Sequence, residues 1–181
     1  LMPFAYQIAD LGRQWSVLVH SRMLTYAHIL DLDTKFRALL SSLPIFLRPD
    51  PTLEQLPEVR QEQAQRPYLA MHRLIVFEAV NQRLLVLHRD DMCRGHHDEK
   101  FAYSTRVAVD AARTILSCRQ QIDNVHPAVQ KHAAFRHHLF QAAVVLTLQL
   151  LHLTRSGQGS SQVAHQLRDD IALIINYLTD A

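Results

Sequence analysis

Arg66-Pro67-Tyr68-Leu69 to Leu84-Leu85-Val86-Leu87-His88-Arg89, then Asp90-Asp91-Met92-Cys93-Arg94-Gly95-His96-His97-Asp98, then Tyr103 to Gln121, is the stretch that decides the fold. It reads as two helices joined by a short polar link. Pro67 suits a first helical position, where a residue without an N–H leaves nothing unpaired. Leu74, Phe77, Val80, Leu84 and Leu87 fall on one helical face, and Ile75, Val76 and Val86 widen it. A helix that apolar in a globular chain is expected to be central, packed on more than one side. The second helix lines up Tyr103, Val107, Ala111, Ile115 and Cys118, thinned by Ala108, Ala111 and Ala112. Small residues there let a neighbouring backbone approach closely.

Working outward, Ile8, Leu11, Trp15, Leu18, Val19, Met23, Tyr26 and Leu30 repeat at threes and fours, which predicts one amphipathic helix. Gly12 either weakens it by about 1 kcal/mol relative to alanine or permits a close crossing. Asp33 is placed to cap a second helix carrying Phe36, Leu39, Leu40 and Leu43, which Pro44 stops. Pro44, Pro49, Pro51, Pro57 and Pro67 then crowd a polar segment, expected to be a loop with at most a helical turn near Glu58 to Gln65. Such a loop is variable, mobile or functional. Asn124-Val125-His126-Pro127 breaks the chain before a long helix with Phe135, Leu139, Ala142, Leu146, Leu150 and Leu153 on one face. Val144, Val145, Leu148 and Leu151 make that helix apolar nearly all round. Ser156-Gly157-Gln158-Gly159-Ser160-Ser161 reads as a flexible connection to a last helix burying Leu167, Ile171, Ile174 and Leu178. No stretch alternates with period two long enough for a strand. The expectation is an all-α, irregular bundle of about six helices, one domain over 1–181 with a proline-rich loop at 44–66.

Three blocks carry a resemblance. Leu85-Val86-Leu87-His88-Arg89, a polar loop, and Tyr103-Ser104-x-x-x-Ala108-x-x-Ala111-Ala112 form the first. Arg136-His137-His138-Leu139-Phe140-Gln141-Ala142-Ala143-Val144-Val145-Leu146 is the second, and Leu30-Asp31-Leu32-Asp33 through Leu43-Pro44 the third. In this order they resemble the regulatory domain of fungal-specific transcription factors, the middle homology region found downstream of a zinc binuclear cluster. The family usually has proline and an aromatic or leucine after the His-Arg pair, where this chain has Asp90-Asp91, and often cysteine where Ala108 stands. Those departures bear on packing.

Composition narrows the classes. At 181 residues the chain can bury a sizeable core, and 48% hydrophobic against 20% charged residues is globular rather than disordered. The formal net charge of +2 creates no overall field for nucleic acid. Cys93 and Cys118 are too few for a zinc binuclear cluster, and they are expected as reduced thiols. No apolar run reaches the roughly 18 residues of a membrane span, and Leu1-Met2-Pro3-Phe4 has the look of an excised fragment rather than a signal peptide.

Several polar residues are candidates for chemistry. His96-His97-Asp98 and His132 with His137-His138 invite a metal, yet zinc needs convergent ligands and HExxH is absent, so no metal ligand is assigned. Ser104 or Cys93 beside a histidine could suggest a nucleophile, but no GxSxG elbow exists and no catalytic residue is assigned. Ser104 is expected as a helix-start residue or a small packing residue. Gly12, Gly95, Gly157 and Gly159 build no phosphate loop. Arginines of the central pair are interleaved with Glu78, Asp90, Asp91, Asp98, Glu99 and Asp110, which marks a solvated face. His88-Arg89 is singled out, with Arg89 expected to cap its helix or to fork onto Asp110.

The resemblance implies a nuclear regulatory domain, not an enzyme, that modulates transcription by RNA polymerase II through its helix packing. Structural or regulatory candidates are His88, Arg89, Tyr103, Ser104, Asp110, Ala111 and Ala112. Trp15, Tyr26, Phe77, Phe135 and Tyr103 are candidates to line a pocket. The implied partners are the rest of the factor, a small-molecule inducer or co-regulator, and a second copy, with no direct nucleic-acid or membrane contact. No cofactor is expected in this chain, with zinc confined to the absent cluster. The rivals are a stand-alone helical enzyme or metal-binding protein using the histidines, and a ligand-free scaffolding or dimerisation module.

Overall fold

The structure is a computed structural model that describes residues 2–50, 52–125 and 133–179. Among these residues there is no strand, and seven α-helices follow in order. They are α1 (Met2–His20), α2 (Tyr26–Ser42), α3 (Pro57–Gln65), α4 (Tyr68–Met92), α5 (Ala102–Val125), α6 (Ala133–Arg155) and α7 (Gln162–Thr179). The fold is an all-α multi-helix bundle. The chain separates into two compact units, Leu1–Arg83 and Leu84–Ala181, the division falling within α4.

In the first unit the expected single helix from Ile8 to Leu30 is instead two. α1 ends at His20, and Arg22 adopts the left-handed region with φ 57°. Ser21 and Met23 donate backbone hydrogen bonds to Val17 and Leu18 carbonyls, closing the helix end. Thr25 then starts α2: its hydroxyl accepts from the His28 N–H, while its own N–H donates to His28 Nδ1. This is a reciprocal cap with histidine in the place usually held by glutamate. Asp33 is therefore not a cap. It is buried inside α2 and pairs with Arg37 at 2.9 Å, one turn on. A non-glycine residue in the left-handed region costs about 1–2 kcal/mol. Arg22→Gly should consequently raise stability, by up to about 1 kcal/mol after glycine's own entropy cost, read as a higher melting temperature.

α2 buries Ile29, Leu32, Phe36 and Leu39, with α1 packed beside it. At Gly12 a Cβ would meet the Arg83 guanidinium at 3.5 Å, an ordinary contact, so no close crossing requires glycine there. The proline-rich segment is more ordered than expected. It holds short 3-10 turns at Ile45–Leu47 and Leu53–Gln55 before α3, which starts on Pro57. Leu47 and Val59 are buried, and Arg48 Nε donates to the Leu43 carbonyl left open at the end of α2. Burial of Leu47 and Val59, unreadable from the proline count, anchors this segment. α4 buries residues around most of its circumference, apolar Leu74, Val76, Val80, Leu84 and Leu87 and polar Arg73, Glu78, Asn81 and Gln82.

In the second unit α5, α6 and α7 pack on one another. Ala108, Ala111, Ala112, Ile115 and Ile122 of α5, Leu139, Ala142, Val145 and Leu146 of α6, and Ala164, Leu167 and Ile174 of α7 are buried. The alanines leave little between backbones, as the thinned stripe predicts. Arg113 Nε pairs with Asp170 at 3.0 Å, and Arg136 donates to the Leu178 carbonyl. The connection after α6 is tight: Gly157 takes φ 78°, Gln158 N–H donates to the Leu153 carbonyl, and Ser161 caps α7 at Ala164. α6 is not covered all round, because Phe140, Val144 and Leu151 form an exposed stripe along it. The break at His126-Pro127, and His132, lie outside the described residues.

Candidate functional site: the joint between two helices and the histidine cleft beside it

The joint and the cleft described below both belong to the second unit. α4 runs past Arg89 through Asp90-Asp91 to Met92, so the link starts later than expected. That link, from Cys93 to Phe101, contains two 3-10 turns, Arg94–His96 and Glu99–Phe101. His88 is fully buried, and its Nδ1 shares a 2.9 Å hydrogen bond with Ser104 Oγ, also fully buried. The Tyr103 ring stands edge-on to His88 at 5.6 Å. Thr105 Oγ1 donates to the Met92 carbonyl at 2.8 Å, satisfying one of the carbonyls that a helix end leaves open. Arg94 pairs with Asp91 at 2.6 Å and lays its guanidinium 3.7 Å over the Phe101 ring. Asp98 accepts from Lys100 N–H and starts the second turn. These contacts tie the end of α4 to the start of α5.

The sequence-marked residues divide accordingly. His88, Tyr103 and Ser104 meet at the joint, while Ala111 and Ala112 are buried helix-packing residues further along α5. Arg89 does not make the tie assigned to it. Its Nε lies 3.3 Å from neighbouring Asp90, the side chain is 37% exposed, and Asp110 is exposed. Arg89 does lie in the last turn of α4, but its side chain turns to the neighbouring Asp90 and not to α5. Trp15, Tyr26, Phe77, Tyr103 and Phe135 are half-buried, and none lines the histidine cleft described next. Buried histidine beside buried serine has the look of a base and nucleophile, but neither group has any exposed surface through which a substrate could reach it.

Next to the joint, Cys93, His96, His97, Leu148, Leu151, His152, Arg155 and Ser156 enclose a cleft of about 450 Å³. His96 and His152 stack face to face, centroids 3.8 Å apart and planes 13° apart, with His97 edge-on to both. His96 Nε2 lies 2.9 Å from the Gln149 side-chain oxygen. The sequence marks His96-His97 but not His152, which a helix 53 residues away in its Gln149 neighbour brings alongside. Among the described residues no three His, Cys, Asp or Glu side chains are placed to hold a metal ion. His137 is exposed on α6.

Burial, and then the like charges of His96 and His97, hold the His152 pKa below its ordinary 6.5. A histidine so lowered resists a proton that the unfolded chain accepts. Its stabilising contribution is complete above pH 6.5 and is lost as pH falls through the lowered value. Melting temperature should therefore drop on acidification below pH 6.5, and the drop should be smaller in His152→Gln. Equal pH dependence in both proteins would contradict this.

Two comparisons with curated proteins bear on identity. Over 147 residues, 79% of this chain, it is 27% identical to a protein of Aspergillus flavus named probable transcription factor lepB, covering 25% of that protein. Over 127 residues, 69% of this chain, it is 28% identical to the agnestins biosynthesis cluster transcription factor of Paecilomyces divaricatus, covering 17% of that protein. The chain thus spans about a quarter or less of the curated relatives it matches. No family model matches the chain. No solved structure matches it. Over most of its length, this all-α chain is similar in sequence to fungal transcription factors, consistent with a regulatory domain of that family.

Proposed function

We propose that this chain is a regulatory domain of a fungal zinc-cluster transcription factor, acting in the nucleus on transcription by RNA polymerase II. The observation that carries the reading is the similarity to two named transcription factors over most of the chain, on an all-helical fold. The buried His88–Ser104 joint supports it, since a domain that restrains its parent must hold one helix packing over another. On this reading a zinc cluster would belong to a DNA-binding segment of the parent, and this chain, whose two cysteines are Cys93 and Cys118, is assigned none. The partners assigned are the rest of the factor, an inducer or co-regulator, and a second copy, for which the exposed Phe140, Val144 and Leu151 stripe offers apolar surface.

The test is a fusion. The chain is inserted between a heterologous DNA-binding domain and an activation segment, and reporter output is compared with that of the same fusion carrying an unstructured linker of equal length. A regulatory domain changes output at equal protein level; identical output from both fusions contradicts the reading.

A further inference from the structure

The histidine cleft has a composition that the packing of α5, α6 and α7 does not require. Its ionisable lining is His96, His97 and Cys93 from the link and His152 and Arg155 from α6, and among the described residues no carboxylate lines it. Apart from the Cys93 thiol, every one of these groups is an imidazole or a guanidinium, able to donate hydrogen bonds to an anion. Its other wall is apolar, Leu148 and Leu151, the latter an exposed leucine with 46% of its surface free. The volume of about 450 Å³ falls in the range of small-molecule sites. The stacked pair His96–His152 shows that planar rings lie flat in this region, with a third ring closing the edge.

Three imidazoles within ring-contact distance cannot all protonate at low cost, because each new charge repels the others. An anion seated among them removes that cost, and Arg155 supplies a permanent positive charge beside them. The apolar wall asks for a hydrocarbon body attached to the anion. We propose that this cleft binds a small aromatic carboxylic acid, its carboxylate held by His97, His152 and Arg155 and its ring lying on Leu148 and Leu151. Binding and proton uptake are then linked: the bound carboxylate favours the charged imidazoles, so affinity rises as pH falls toward the ordinary histidine range. The proposal stands on the cleft alone. Its failure leaves the regulatory reading intact, and failure of the reporter fusion leaves the site intact.

The experiment titrates 2-naphthoate onto the whole chain by calorimetry at about pH 6 and about pH 7.5, on either side of the ordinary histidine pKa, with uncharged 2-naphthamide as the matched probe. Two buffers of different ionisation heat report proton uptake. The expected result is naphthoate binding roughly tenfold or more tighter than the amide, tighter at the lower pH, with net proton uptake. Arg155→Ala, at an exposed position, and His152→Gln should each weaken naphthoate about tenfold while melting close to the parent. Arg13→Ala, on α1, should leave binding unchanged. Equal binding of acid and amide overturns the proposal, as does no binding of naphthoate at millimolar concentration. Stoichiometric zinc uptake that blocks naphthoate would reassign the histidines to a metal and overturn it too.

Discussion

Gly95→Ala is expected to lower the stability of the second unit by about 3 kcal/mol, the upper end for forced overpacking. A Cβ there would sit 2.5 Å from the Phe101 carbonyl oxygen and 2.8 Å from its carbon, with Thr105 Oγ1 also in the way. Side-chain ends can swing aside, but the Phe101 backbone is held by the turn that Asp98 starts and by Arg94 stacked on its ring. Moving Thr105 would in addition break its bond to the Met92 carbonyl. For a chain of this size the loss corresponds to a fall in melting temperature of about 6–12 °C. Adding Thr105→Ala should recover only a small part, because the backbone clash remains. Parent-like melting of Gly95→Ala by circular dichroism would show that the link is looser than described.

The second large effect belongs to His88. Truncation to alanine empties a fully buried site and deprives Ser104 Oγ of its imidazole partner. Cavity formation and the lost hydrogen bond together should cost about 3–5 kcal/mol. Ser104→Ala removes almost no volume and should cost about 1–3 kcal/mol through lost hydrogen bonding. A double-mutant cycle over the two positions should give a coupling of about 1 kcal/mol or more. Denaturant melts of the four proteins measure it, and strictly additive losses would mean that the contact contributes nothing of its own.

These two residues also show what could be read in advance. The period-3.6 pattern made α4 to α7 and the all-α class legible, and the alanines of α5 announced close packing. His88-Arg89 was legible as a special pair, but not which member mattered. Sequence gives no sign that α4 runs through Asp90-Asp91 to Met92, or that Arg89, in its last turn, pairs with neighbouring Asp90. The division of α1 from α2 escaped because apolar spacing continues unbroken across Ser21 to Thr25. The stop is written in an arginine at positive φ and a Thr-x-x-His cap, neither a common signal. The histidine cleft needed His152 from α6 brought beside His96, a long-range juxtaposition that no local pattern encodes.

On the proposed regulatory reading, this domain would act on its parent through the rigidity of the α4–α5 joint. The most direct measurement is basal reporter output of the parent factor carrying Ser104→Ala, at protein levels matched to the unmodified factor. Val145→Ala, a core truncation on α6 away from the joint, serves as the comparison. The account predicts that Ser104→Ala shifts output several-fold, and further than Val145→Ala does, because loosening the joint changes the balance between helix packings. Unchanged output from a Ser104→Ala factor whose isolated domain melts measurably lower would contradict it.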